Sequence, residues 1–172
     1  VVVGYVLLLL LGRNGALGAW LYDTFGITVA FTWVGAALAA SVMAFPLMVR
    51  AMRLSLEAVD RRLEAAAQTL GAPPLRVFLT VTLPLMAPGI IVGSVLAFAR
   101  ALGEFGATIT FVSNIPGETQ TLPLALYSFA QTPGQEHGAM RLALIAVAVA
   151  LVALLISEWL AKRIRDSVRN RE

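Results

Sequence analysis

Few residues of this 172-residue chain are of types that do covalent chemistry, and their spacing argues against it. The single histidine, His137, follows Glu136 with no second ligand at metal spacing, so it reads as a surface residue rather than a metal site. With one histidine, no HExxH motif, GxSxG elbow or Ser/His/Asp set is available. The absence of cysteine removes thiolate chemistry, iron–sulfur clusters and Cys-based zinc sites. No GxxxxGK[ST] occurs, so the chain builds no P-loop phosphate cradle of its own. What remains is a set of polar groups in otherwise apolar segments: Ser41, Ser94, Thr108, Thr110, Ser113, Asn114, and Arg100 with Glu104 one helical turn on. Their available chemistry is noncovalent. Hydroxyls in apolar helices bond their own backbone or a neighbouring helix, and Arg100 and Glu104 read first as an intramolecular pair. An ionisable group in such a segment is also a candidate for contact with a passing solute.

Hydrophobicity sets the elements that must position these groups. The chain is 59% hydrophobic and 13% charged, against about 25% charged in ordinary soluble domains. It is therefore expected to be all-α and lipid-facing, a polytopic membrane helix bundle. Disorder, collagen and disulfide scaffolds are excluded by the same composition, and a net charge of +3 is too small to indicate nucleic acid. Residues 30–49, 85–103 and 142–161 are the three crossings expected, each near the roughly 20 apolar residues a bilayer demands. Residues 1–11 are apolar but too short to cross alone. They are expected to be the end of a crossing truncated at the amino terminus.

Basic residues assign the sides. Residues 50–84 hold Arg50, Arg53, Arg61, Arg62 and Arg76, and the tail holds Lys162, Arg163, Arg165, Arg169 and Arg171. Loop 12–29 has only Arg13, and residues 101–140 have no Lys or Arg. The positive-inside rule places the first two segments in the cytoplasm and the others outside; the basic tail reads as a topology anchor, with a role at anionic lipid as the alternative. Small residues four apart, Ala36, Ala40 and Ala44, then Gly89, Gly93 and Ala97, predict closely packed helix faces. Between Glu104 and Met140, apolar pieces at 107–115 and 121–130 are expected to form short or re-entrant helices buried against the bundle.

The cytoplasmic segment 54–84, LSLEAVDRRLEAAAQTLGAPPLRVFLTVTLP, carries the most information. Leu56, Val59, Leu63, Ala67 and Leu70 follow a helical spacing, and Glu57 and Arg61 stand i,i+4. Gly71 supplies a left-handed stop, and Pro74 opens a second short helix through Val81. The pattern Ala65-Ala66-Ala67, Gly71, Val81, Leu83, Pro84 resembles the EAA loop of ABC importer permeases. That loop reads Glu-Ala-Ala, three residues, Gly, nine residues, Ile, one residue, Leu-Pro. Two positions depart from it: Ala65 stands where the Glu belongs, with Glu64 one place early, and Val81 replaces Ile. Residues 31–60 and 95–127, most distinctively ALGEFGATITFVSNIPGETQT (101–121), are similar to the permeases of molybdate ABC transporters, the ModB type. Sulfate and tungstate permeases share much of the GEFG region.

This resemblance implies the ABC importer permease fold over residues 1–172, in a bacterial or archaeal cytoplasmic (inner) membrane. It implies a homodimer that is not itself an enzyme, sits on two cytoplasmic ATPase subunits and takes an oxyanion from an external binding protein. ATP and Mg are then used by the partner ATPase, with no cofactor or metal bound by this chain. Residues 54–84 become the coupling loop, with Glu64, Ala65, Ala66, Ala67, Gly71, Val81, Leu83 and Pro84 its docking and shaping residues. Molybdate is the expected substrate, with sulfate, thiosulfate or tungstate as alternatives. Neutral donors can hold a tetrahedral dianion while a cation at the mouth concentrates it. On that ground Ser41, Ser94, Arg100, Thr108, Thr110, Ser113 and Asn114 are the candidate path. A fragment of a gradient-driven carrier or channel, or a structural membrane anchor, are the competing readings; the lack of a mid-membrane acid in the three crossings weighs against a carrier.

Overall fold

Apolar runs uninterrupted by turn residues wind into helices, and the breaks fall where capping residues stand. The structure, a computed structural model, describes residues 1–169, with side chains through Arg163; Arg165 and Arg169 of the basic tail lie outside the described side chains, and Arg171 outside the described residues. The helices are α1 Val2–Leu11, α2 Ala16–Phe25, α3 Trp33–Glu57, α4 Arg61–Thr69, α5 Pro74–Val77, a π turn Phe78–Thr82, α6 Leu83–Leu102, α7 Gly106–Val112, α8 Leu122–Ala130 and α9 Glu136–Arg169. Among the described residues, three spans are long and apolar enough to cross a membrane: Trp33–Glu57, Pro74–Leu102 and Glu136–Arg163. The pair α1 and α2, bent by 43°, is a fourth candidate.

The chain packs as two units. The first comprises Val1–Phe45 and Phe98–Ala150. Its core is built from Ala30, Ala36, Ala39, Ala107, Phe111 and Val112, with Leu7, Leu8, Leu11, Val29, Leu38 and Met43 packed around them. Small residues let the backbones approach. A Cβ on Gly4 of α1 would lie 2.8 Å from Ala107 Cα of α7, and one on Gly35 of α3 would lie 2.9 Å from Val112 Cγ1, so any side chain at either position would push α7 away. The buried face of α3 here is Gly35, Ala36, Ala39 and Ala44, while Ala40 is half-buried. Thr32 caps this helix: its Oγ1 accepts from Gly35 N at 3.2 Å and donates to Val29 O at 2.7 Å. Short α7 is among the most buried pieces of the chain, with Ala107, Thr108, Phe111 and Val112 all enclosed.

The second unit comprises Pro46–Ala97 and the chain from Leu151 onward. Here α6 meets the end of α3 along Gly89 and Gly93. A Cβ on Gly93 would stand 2.7 Å from Ala51 Cβ and 3.2 Å from Met48 Sδ, and one on Gly89 would overlap Ser55. The small-residue face of α6 thus finds its partner in α3. Ser55 Oγ reinforces the contact by donating to Met86 O at 3.2 Å.

Two local expectations change. Residues 54–57 belong to α3, and the next helix starts only at Arg61, because the Asp60 side chain accepts from Arg62 N at 2.9 Å and caps it. Glu57 and Arg61 are therefore not neighbours on one helix, and Glu57 pairs with Arg53 at 2.9 Å instead. The helix opened by Pro74 does not stop near Val81 but continues to Leu102 through the π turn. Pro84 stands just after the turn. A proline ring clashes with the carbonyl four residues back in a regular α-helix, and the wider turn before it, closed by Leu83 N to Phe78 O, relieves that crowding.

Candidate functional site

The helix–turn–helix at 60–84 is built from its capping residues upward. Gly71 has φ +82°, a conformation that costs an L side chain about 1–2 kcal/mol. Gly71 N bonds Gln68 O at 2.9 Å and Ala72 N bonds Ala67 O at 3.2 Å, the paired bonds of a Schellman stop. Pro73 and Pro74 follow, and Pro74 occupies the first turn of α5, where its missing N–H costs nothing. α4 packs against both α5 and the π turn.

Within this assembly Ala65 and Ala66 are uncovered, Ala67 is half-buried, and Val81, Leu83 and Pro84 are half-buried at the base of α6. Leu70 is 88% exposed and Leu75 is 70% exposed. Both are large apolar side chains left uncovered by the chain itself. Glu64 is oriented differently: its Oε1 accepts a hydrogen bond from Thr82 Oγ1 at 2.6 Å. Thr82 was not among the residues singled out from sequence, since a threonine between Val81 and Leu83 carries no signal until α4 is folded against it. Leu56, Glu57, Val59, Arg61 and Glu64 line a groove of about 440 Å³ beside α4.

The seven candidate path residues are divided between the two units. Ser94 lies in the second unit, where its hydroxyl bonds Ile90 O of its own helix at 2.8 Å. The other six lie in the first unit. Ser41 bonds Ala37 O at 2.7 Å, and Thr110 bonds Gly106 O, so both hydroxyls are satisfied by their own helices. Arg100 Nη1 pairs with Glu104 Oε2 at 2.7 Å, and Glu104 Oε1 accepts from Ala107 N at 2.8 Å. Thr108 is buried, and its hydroxyl has no hydrogen-bond partner among the described residues. Ser113 ends α7 at φ +65°, and Asn114 bridges Ser128 at 2.7 Å and Gln120 at 3.1 Å. Arg100, Thr108, Thr110, Ser113 and Asn114 thus follow one stretch of chain around α7. None of the seven lines the groove beside α4 or the cavity of about 390 Å³ at the α1–α2 corner. His137 is exposed in the first turn of α9.

Comparison with known proteins gives this architecture a family. The model of the binding-protein-dependent transport system inner membrane component matches residues 1–169. The Molybdenum transport system permease protein ModB of Escherichia coli K12 is 68% identical over 166 residues, 96% of this chain and 72% of that protein. Its Haemophilus influenzae counterpart is 62% identical over 168 residues, 98% of this chain and 73% of that protein. The chloroplastic Sulfate permease 2 of Chlamydomonas reinhardtii is 40% identical over 97% of this chain and 44% of its own length. The chain belongs to the family of inner membrane components of binding-protein-dependent transport systems.

Proposed function

We propose that this chain is the permease subunit of an ATP-driven importer that carries molybdate into the cytoplasm. The observation that carries the reading is the 68% identity, over nearly the whole chain, to a molybdenum transport permease. The 40% identity to a sulfate permease places sulfate second. In this reading the chain works as a homodimer, receives substrate from an external binding protein, and leaves ATP and Mg to a partner ATPase. Residues 30–49, 85–103 and 142–161 lie in the bilayer, with 50–84 and the basic tail on the cytoplasmic side; the five arginines of 50–84 support that orientation.

The coupling chemistry follows from α4. Its uncovered Ala65, Ala66 and Leu70, with Leu75 of α5, supply an apolar docking face. Gly71 and Pro74 set the corner, and Val81, Leu83 and Pro84 stand within the Pro74–Leu102 helix that would carry the motion onward. Closure of the ATPase subunits would move α4 and tilt that helix, which is alternating access by rearrangement of packed helices. For the path, Arg100 with its charge balanced by Glu104 can attract an anion without trapping it. Ser41, Ser94, Thr108, Thr110, Ser113 and Asn114 offer neutral donors for weak, transient contact.

The substrate assignment is tested by labelled molybdate uptake in vesicles challenged with unlabelled molybdate, tungstate or sulfate. Competition by sulfate at the same concentration as molybdate would assign the chain to sulfate instead.

A further inference from the structure

We propose that Glu64 is a positioning residue whose carboxylate, held by the Thr82 hydroxyl, braces the docking helix α4 against the base of the Pro74–Leu102 helix. The proposal rests on the coupling role given above and names the contact that makes the coupling stiff.

The Glu64–Thr82 bond is 2.6 Å long, within the range of hydroxyl–carboxylate bonds with an ionised acceptor, which are about twice as strong as neutral ones. Thr82 is 3% exposed, so water competes poorly for its hydroxyl. The two residues are 18 apart in sequence, and the bond is therefore a tertiary link. α4 is already joined to α5 through the Gly71 corner at its carboxyl end. Glu64 stands in its first turn, so the bond to Thr82 fastens the opposite end. The amino end of α4 also joins α3 through residues 58–60, and the bond to Thr82 ties that end to the Pro74–Leu102 helix as well.

The π turn makes this brace possible. Val77 and Thr82 are both buried, and α4 packs against the two segments that carry them. Residues five apart would point about 140° away from each other in a regular α-helix, while the i,i+5 bonding of a π turn brings them to one side. The extra residue thus turns the Thr82 hydroxyl toward α4. The Glu64 carboxylate is thereby engaged within its own chain, while Ala65, Ala66 and Leu70 stay uncovered.

Two substitutions separate this role from a charge read directly by the ATPase. Thr82→Val keeps shape and docking face but removes the donor, whereas Glu64→Gln removes the charge and keeps an acceptor for Thr82. In proteoliposomes containing the permease, its ATPase and its binding protein, Thr82→Val is expected to lower molybdate uptake per ATP hydrolysed about tenfold while ATPase co-purification persists. Thr82→Ser is expected to stay within about twofold of wild type, and Glu64→Gln, which keeps an acceptor but loses the charge assistance, to fall between wild type and Thr82→Val. Wild-type coupling in Thr82→Val, or a defect in Glu64→Gln as deep as in Glu64→Ala, would overturn the proposal. Hydrogen exchange of the permease alone in detergent reads the brace without any ATPase. Amides of residues 61–69 should exchange about tenfold faster in Thr82→Val and not in Thr82→Ser; unchanged exchange in Thr82→Val would also overturn it. Wild-type protein that shows no ATP-dependent uptake would count against the permease reading, while the exchange result would still decide the brace.

Discussion

Arg100 and Glu104 meet at 2.7 Å one helical turn apart, and the pair is asymmetric: the Glu104 side chain is 4% exposed and that of Arg100 is 40% exposed. Glu104 also accepts from Ala107 N, so a single carboxylate holds the start of α7 and balances the arginine. Glu104→Ala is expected to cost about 2 kcal/mol, the scale of a buried hydrogen bond to a charged group. Glu104→Gln, which keeps an acceptor for Ala107 N, should lose less than half of that. Thermal unfolding in detergent followed by tryptophan fluorescence would show it; equal losses would mean that the cap contributes nothing.

Gly93 allows α6 to lie against α3 in the second unit, with space for a hydrogen but not a methyl group beside Ala51. Gly93→Ala is expected to destabilise by about 1–3 kcal/mol through overpacking. Ala51→Gly in the same protein should restore most of the loss, giving a favourable interaction term in a double-mutant cycle. Additive effects of the two substitutions would show that the helices do not meet there.

Gly71 is held at a left-handed φ with open space around its would-be Cβ, so substitution acts through the backbone alone. Gly71→Ala should cost about 1–2 kcal/mol and weaken coupling. Gly71→Pro, whose ring fixes a negative φ, should leave the protein in the membrane while abolishing transport and ATPase association. Substrate-stimulated ATP hydrolysis by the Gly71→Pro complex would contradict the coupling role of this turn.

Leu70 and Leu75 test the docking face without disturbing the fold, because both side chains are largely uncovered. Leu70→Asp and Leu75→Asp are each expected to change the thermal midpoint little, as surface substitutions do. Each should weaken ATPase binding by about tenfold or more, measured by titration in detergent, because a charge in a buried apolar contact is left unpaired. Unaltered affinity in both variants would move the docking face elsewhere.

The helices and their close approaches were legible in sequence because they follow from period and residue size. Gly89 and Gly93 announce a packed face, and Gly71 followed by two prolines announces a stop. What escaped is decided by competition between neighbours. Glu57 could pair with Arg53 or Arg61 by spacing alone, and the Asp60 cap, which ends one helix and starts another, makes the choice. The π turn at Phe78–Thr82 precedes Pro84, whereas Pro46 and Pro88 stand inside helices without such a turn, so residue type does not announce it and the Thr82 hydroxyl that meets Glu64 could not be read in advance. Among the path candidates, Ser41, Ser94 and Thr110 donate to their own helices. That is the ordinary fate of a hydroxyl in an apolar helix, and residue type cannot distinguish it from solute contact.

ATP-dependent uptake is the most direct measurement of the account's central claim. Proteoliposomes containing this permease with its ATPase subunits and binding protein should accumulate labelled molybdate when ATP is supplied on the ATPase side. Uptake should fall to background with a non-hydrolysable analogue. Uptake that follows an imposed proton gradient and is indifferent to ATP would contradict the account.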